Sequence, residues 1–174
     1  IPMKKIILLG YMGCGKSTIA EKLSSLIQIP FVDLDKSIET KAGMTINQIF
    51  ESFGEVYFRK LEHDVFVELL AAPENQIIGL GGGTPCYANN HELLKGEGIT
   101  SIYLKASVAT LFNRLAHNKS KRPIVANKTE AELQEFIAKH LFDRSYYYNQ
   151  AEYKVTVDGK SIDETVADII SILA

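Results

Sequence analysis

Residues 10–17 read Gly-Tyr-Met-Gly-Cys-Gly-Lys-Ser and satisfy every fixed position of G-x-x-x-x-G-K-[ST]. Glycines at these places let successive backbone N–H groups turn inward. The helix that opens at the loop's end adds its partial positive charge, so the natural guest is a run of phosphates. Lys16 offers an ammonium that can reach β- and γ-phosphates, and Ser17 offers a hydroxyl suited to Mg²⁺. The chemistry proposed for this segment is phosphate binding by Gly13, Cys14, Gly15, Lys16, Ser17 and Thr18. A plain glycine turn would also join strand to helix, but it needs no Lys-Ser pair. Cys14 is a spectator inside the loop or a redox-sensitive thiol.

Other residues could act beside that loop. Asp33-Leu34-Asp35 closes a short apolar segment. If it is extended, both carboxylates project to one side, one to hold a metal's hydration shell and the other to orient a hydroxyl and take its proton. Alternatively Asp35 only N-caps a helix beginning Lys36-Ser37-Ile38. Gly81-Gly82-Gly83 is costly in chain entropy, which points to a backbone that something approaches closely, or to a simple turn. Arg59 has Glu62 at i+3, either as a solvated helix ion pair or with its guanidinium free to meet an anion. Arg122 lies in the polar stretch His117–Lys128; a mobile arginine closing over phosphates is worth about 10³ to 10⁵ in rate, although Lys119 and Lys121 flank it as on an ordinary surface. Arg144, before Tyr146-Tyr147-Tyr148, can bind a carboxylate or stack on those rings. Asn127-Lys128-Thr129-Glu130 imitates the guanine-reading N-K-x-D element, but Glu130 replaces the Asp and no D-x-x-G follows the second strand, which argues against a GTPase.

Such residues need a scaffold that gathers them. Short apolar runs at 4–9, 31–33, 76–80, 100–104 and 154–157 alternate with helical patterns, the signature of βαβ units and a parallel sheet. The loop, the acidic pair and the triple glycine each follow a strand, and the C-terminal strand ends of such a sheet form its ligand crevice. Helices are expected at Thr18–Ile27, over Ile46, Ile49, Phe50 and Phe53 behind a Thr45/Gln48 capping box, and over Phe58, Leu61, Val65 and Leu69. The last helix carries Ile162, Val166, Ile169, Ile170 and Leu173 behind Ser161/Glu164. All these stripes are expected in the core.

With 174 residues, 46% of them hydrophobic, the chain can bury one core without disulfides or a structural metal, so a single domain over residues 3–174 is expected. Ile1-Pro2 ahead of Met3 reads as an added remnant. A net charge of −2 gives no reason to expect nucleic acid or an anionic membrane. Two cysteines, Cys14 and Cys86, make neither a disulfide framework nor a metal site and fit a reduced, cytoplasmic setting. Met3-Lys4-Lys5 and Ile6–Leu9 imitate a signal peptide, but the apolar run stops at Gly10, and no run nears the ~18 residues of a membrane span. A monomer is expected, since no large exposed apolar stripe is evident.

Taken together, Gly-Tyr-Met-Gly-Cys-Gly-Lys-Ser-Thr, Phe31-Val32-Asp33-Leu34-Asp35, Phe58-Arg59-Lys60, Leu80-Gly81-Gly82-Gly83 and Arg122-Pro123 resemble, in order and spacing, the shikimate kinases from Met3 onward. The resemblance implies a three-layer α/β/α fold with five parallel strands, a helical substrate-binding region at about 34–62 and a lid at about 114–128. It implies ATP-dependent, Mg²⁺-assisted phosphorylation of the shikimate 3-hydroxyl on the way to chorismate and the aromatic amino acids. Lys16 and the loop amides would hold ATP, and Ser17, with Asp33 through water, would hold the metal. Asp35 would bind the acceptor hydroxyls and serve as base, Arg59 and Arg144 would grip the carboxylate, Gly81–Gly83 would face the ring, and Arg122 would be the lid arginine.

The chain departs from the family in two places. Thr84-Pro85-Cys86 stands where small apolar residues are commoner, and no arginine follows the last strand, leaving Lys160 for the adenine side. Arg114 either stacks on adenine or is a helix-surface charge. The competing readings are a gluconate or nucleoside-monophosphate kinase of the same fold and a non-catalytic nucleotide sensor.

Overall fold

The computed structural model describes residues 4–117 and 128–174. Arg122 and most of the expected lid lie outside them. Five parallel strands form one sheet: β1 Lys5–Leu9, β2 Phe31–Asp33, β3 Gln76–Gly79, β4 Ile99–Lys105 and β5 Tyr153–Thr156. Their order is β2-β3-β1-β4-β5, with every pair parallel. The five runs expected from the sequence match these strands to within a residue or so at each end. All five residues of β1 are buried, which fits a central strand covered on both faces.

Six α-helices are described: α1 Lys16–Ile27, α2 Leu34–Ala42, α3 Ile46–Ala71, α4 Val108–His117, α5 Glu130–Tyr148 and α6 Ile162–Leu173. Two short 3₁₀ turns, Thr84–Cys86 and Asn90–Leu94, lie between β3 and β4. α1 packs on α6, α2 on α3, and α4 on α5. Capping boxes at Thr45/Gln48, Thr129/Glu132 and Ser161/Glu164 start α3, α5 and α6, two of them as the sequence pattern predicts.

The stripes over 46–53 and 58–69 are the two helical segments the sequence suggests, and they meet at Gly54, whose φ 85° and ψ 175° are not helical; the whole run is labelled α3. That conformation is open essentially to glycine alone, and the turn in the axis explains why the two stripes are out of phase. The kink also leaves Phe53 and Tyr57 about half exposed, stacked at 4.6 Å, with Val56 beside them 87% exposed. Two expectations therefore need correction: Phe53 is not a core residue, and α3 does carry an exposed apolar patch. Phe50 and Phe58, on either side of the kink, pack inward at 4.7 Å.

The strand order positions the site. β2, β3 and β1 are neighbours, so the segments that leave their C-terminal ends emerge side by side: Asp33-Leu34-Asp35, Gly81–Gly83 and the loop at 10–17.

Candidate active site

The loop after β1 turns into α1 at Gly15, which precedes the helix with φ 89°, a left-handed conformation that a side chain would strain. Gly13 shares that conformation. Residues Gly13–Thr18 line a cavity of about 580 Å³ together with Asp33, Asp35, Gly81, Gly82 and Arg114. Cys14 is buried, and its Sγ lies 2.9 Å from where a Gly10 Cβ would stand, so the thiol packs under the loop.

The acidic pair is not extended as the sequence reading supposed. Asp33 ends β2 and is itself the N-cap of α2; its Oδ1 accepts from the Asp35 N–H at 2.9 Å and the Lys36 N–H at 3.4 Å. Asp35 sits in the first helical turn, so the alternative that made it the cap of a helix at Lys36 is also overturned. Both residues nonetheless line the cavity beside the phosphate loop. Burial, reinforced by the negative charge of Asp33, pushes the Asp35 carboxyl up to about 6, with Lys16 opposing.

Each of the three glycines makes room for a different side chain. A Cβ on Gly81 would stand 2.9 Å from Asp35 Oδ1, one on Gly82 3.0 Å from Arg144 Nη1, and one on Gly83 3.0 Å from both terminal nitrogens of Arg59. Close approach, not turn geometry, accounts for the triplet, and it brings the two arginines together with Asp35 along one strip of backbone.

Arg59 is fixed from several directions. Its Nη1 donates to Glu62 Oε1 at 3.0 Å, and its guanidinium lies over the Tyr87 ring at 3.8 Å and the Phe58 ring at 5.1 Å. The Glu62 side chain is only 2% exposed, so the pair is not the solvated helix bridge that spacing alone allowed. Arg59 Nε is shielded from solvent and has no hydrogen-bond partner, with Glu55 Oε1 at 3.8 Å. Arg144 does not stack on the tyrosines that follow it. It lies 5.7 Å from the Tyr11 ring centre and its Nη1 donates to Tyr148 Oη at 3.4 Å, while that hydroxyl donates to the Gly82 carbonyl at 2.6 Å. Burial raises the Tyr148 phenol further still above its ordinary range, so it remains a donor. Tyr11 in turn meets His140 Nδ1 at 3.0 Å, and burial lowers the pKa of that imidazole.

Sequence reasoning left Tyr11, Glu62 and Tyr148 without roles in this arrangement. The only signals were Glu62 at i+3 from Arg59 and Tyr148 at i+4 from Arg144, spacings shared by many surface pairs.

On the other side of the cavity, Arg114 Nη1 donates to the Gly13 carbonyl at 3.1 Å and lies near Leu115 and Ile162 in the wall. Lys160 pairs with Asp168 at 2.7 Å and is not among the residues lining the cavity. Cys86 is half-buried, and its thiol is pushed up to about 11 by burial, so it stays protonated at neutral pH. Ser17 and Asp33 line the cavity with Lys16, as do Thr18 and Asp35, and no cluster of three or more His, Cys, Asp or Glu able to hold a metal occurs among the described residues. One hydroxyl and one carboxylate fit Mg²⁺, which keeps waters and takes its remaining ligands from phosphates.

A phosphate-cradling loop on the central strand of a parallel sheet, beside a half-buried carboxylate with raised pKa, defines a P-loop phosphotransferase. The shikimate kinase family model matches residues 12–174. A shikimate kinase of Flavobacterium johnsoniae is 67% identical over 172 residues, covering 99% of this chain and all of its own. Among solved structures, the shikimate kinase of Bacteroides thetaiotaomicron superposes with TM-score 0.90 at 34% identity, covering 99% of both chains. That of Acinetobacter baumannii in complex with shikimate does so with TM-score 0.85 at 30% identity, covering 98% of this chain and 93% of its own. The chain belongs to the shikimate kinase family.

Proposed function

We propose that this protein transfers the γ-phosphoryl group of ATP to the 3-hydroxyl of shikimate, giving shikimate 3-phosphate and ADP, a step toward chorismate and the aromatic amino acids. The observation that carries this reading, beside the family, is the strip Gly81–Gly83: it sets a proton acceptor, Asp35, next to the phosphate loop and two guanidiniums, Arg144 and Arg59, immediately beyond. An acceptor with a hydroxyl at one end and a carboxylate at the other matches that spacing of charge.

In this mechanism the amides of Gly13–Thr18 and the Lys16 ammonium hold the triphosphate. Ser17 directly, and Asp33 through water with the oxygen it does not use for capping, would hold Mg²⁺; when bound, the ion offsets charge on the β- and γ-oxygens. Asp35 accepts the proton of the attacking hydroxyl as its oxygen bonds to the γ-phosphorus and the bond to the β–γ bridging oxygen breaks, releasing ADP. Positioned proton acceptance of this kind contributes about 10²- to 10⁴-fold. Arg59 and Arg144 bind the shikimate carboxylate, each charge-assisted hydrogen bond being worth roughly 1.5 to 3 kcal/mol, which favours an acid over a neutral polyol. Arg114, braced on the loop, flanks the adenine with Ile162. Helices over 34–62 form the acceptor-binding region, and Arg122 is assigned the role of offsetting charge on the transferred phosphoryl group.

The protein is proposed to work as a cytoplasmic monomer without nucleic-acid or membrane partners. Among the described residues no helix is long and apolar enough to cross a membrane. An ADP-release assay offering shikimate, gluconate, AMP and water in parallel tests the acceptor. ADP is expected with shikimate alone; release with gluconate and not shikimate would overturn the assignment.

A further inference from the structure

Thr84, which follows the triple glycine directly, is completely buried, yet polar. Its hydroxyl donates to Glu62 Oε2 at 2.8 Å, and the other oxygen of that carboxylate accepts from Arg59 Nη1 at 3.0 Å. The Thr84 carbonyl accepts from Asn90 Nδ2 at 3.0 Å, and Asn90 Oδ1 lies 2.6 Å from His63 Nδ1. The chain of contacts leaves α3 at Glu62 and returns to it one residue later at His63. It ties the backbone just after the triple glycine to the helix that carries Arg59.

We propose that Thr84 is a positioning residue of the carboxylate subsite: it occupies one oxygen of buried Glu62, so that this carboxylate holds Arg59 in place without drawing the guanidinium away from the acceptor's carboxylate. A buried carboxylate must have its hydrogen bonds met. With the Thr84 hydroxyl present, Glu62 needs only one N–H of Arg59. With the hydroxyl gone, the donor already at hand is Arg59 itself, and a guanidinium turned to satisfy both Glu62 oxygens presents fewer N–H groups to the ligand. The guanidinium lies over the Tyr87 ring at 3.8 Å and close against Gly83, where a Cβ would stand 3.0 Å from both of its terminal nitrogens. Thr84 touches no reacting atom, and its effect falls on acid recognition.

This inference rests on the reading of Arg59 as a carboxylate ligand, and the experiment separates the two. Thr84→Val keeps the shape and deletes the donor; Thr84→Ser keeps the donor and deletes a methyl. Thr84→Val is expected to raise the shikimate KM about 10-fold, with kcat and the ATP KM changed less than threefold. Thr84→Ser is expected within threefold of the parent on all three. The methyl ester of shikimate, which cannot form the charged pair, should lose selectivity against the acid in the parent and much less in Thr84→Val. An unchanged shikimate KM in Thr84→Val, a Thr84→Ser as impaired as Thr84→Val, or parallel rises in both KM values would each overturn the proposal. Arg59→Lys is run alongside. If it raises the shikimate KM while Thr84→Val does not, only the role of Thr84 falls; if it too changes nothing, the carboxylate reading of Arg59 falls and takes this proposal with it. Should Thr84→Val not fold, Thr84→Ala carries the same comparison with Thr84→Ser.

Discussion

The proposed role of Asp35 as proton acceptor comes at a cost in stability. Its carboxyl holds a proton more tightly in the folded chain, with a pKa of about 6, than in the unfolded one, where 3.8 is ordinary. A carboxylate raised in this way favours the folded state most below about pH 4, and the folded protein loses that advantage as pH rises through 6. Asp35→Asn is therefore expected to be more stable than the parent at pH 7.5 without nucleotide, by on the order of 1 to 3 kcal/mol and hence with a higher melting temperature, the gap closing near pH 4. The same variant should bind Mg-ADP normally and turn over at least 100-fold more slowly. Thermal melts at the two pH values and a turnover assay check this; a gap undiminished at pH 4 would place the gain outside the carboxyl, and near-normal turnover would remove Asp35 from proton transfer. The roles of Asp33 and Asp35 were only half legible in the chain, because one residue decides where strand ends and helix begins. Both acids were found, but which of them caps the helix was not. Glu62 and Tyr148 were opaque for another reason: polar residues at i+3 and i+4 look alike whether they face water or a core, and only the packing of α3 and α5 on the turns after β3 buries these two.

At the level of elements, the strands and the phosphate loop could be read closely, since a short apolar run followed by a fixed motif leaves few alternatives. The kink in α3 could have been read too. Gly54 separates two hydrophobic stripes that no single helix phase joins, and its backbone is in the region that needs glycine. What the triple glycine serves could not be read, because the three side chains that crowd it come from α2, α3 and α5. An alanine placed at each position is expected to fail differently. Gly81→Ala displaces the Asp35 carboxylate and should lower kcat; Gly82→Ala and Gly83→Ala displace Arg144 and Arg59 and should raise the shikimate KM with the ATP KM unchanged. In each case the added methyl meets the far end of a long or short side chain and not backbone, so function should suffer before stability. Steady-state kinetics on the three variants, beside their melting temperatures, test this; three identical kinetic defects would mean that the segment acts only as a turn.

For the whole molecule, a net charge of −2 gave no reason to expect nucleic acid or an anionic membrane, yet Lys16, Arg59, Arg114 and Arg144 gather around the cleft described above. Averages over the surface say little about a concave site. Such a site should report its ligand through global stability: at about 100 times its Kd, Mg-ADP contributes about 2.7 kcal/mol, which for a domain of this size raises Tm by roughly 5 to 10 °C. Lys16→Ala should abolish most of that shift in a thermal melt, and a full shift in this variant would mean that the nucleotide binds elsewhere. The arrangement of the cleft has one more consequence. In this reading the phosphoryl-transfer groups follow the ends of β1 and β2, whereas the two arginines proposed to read the acceptor come from helices α3 and α5, which pack on the 3₁₀ turn after β3. Chemistry and choice of substrate thus reside in separable parts, and a lineage, or an engineer, can exchange the acceptor by rewriting helix faces while the catalytic frame is inherited intact.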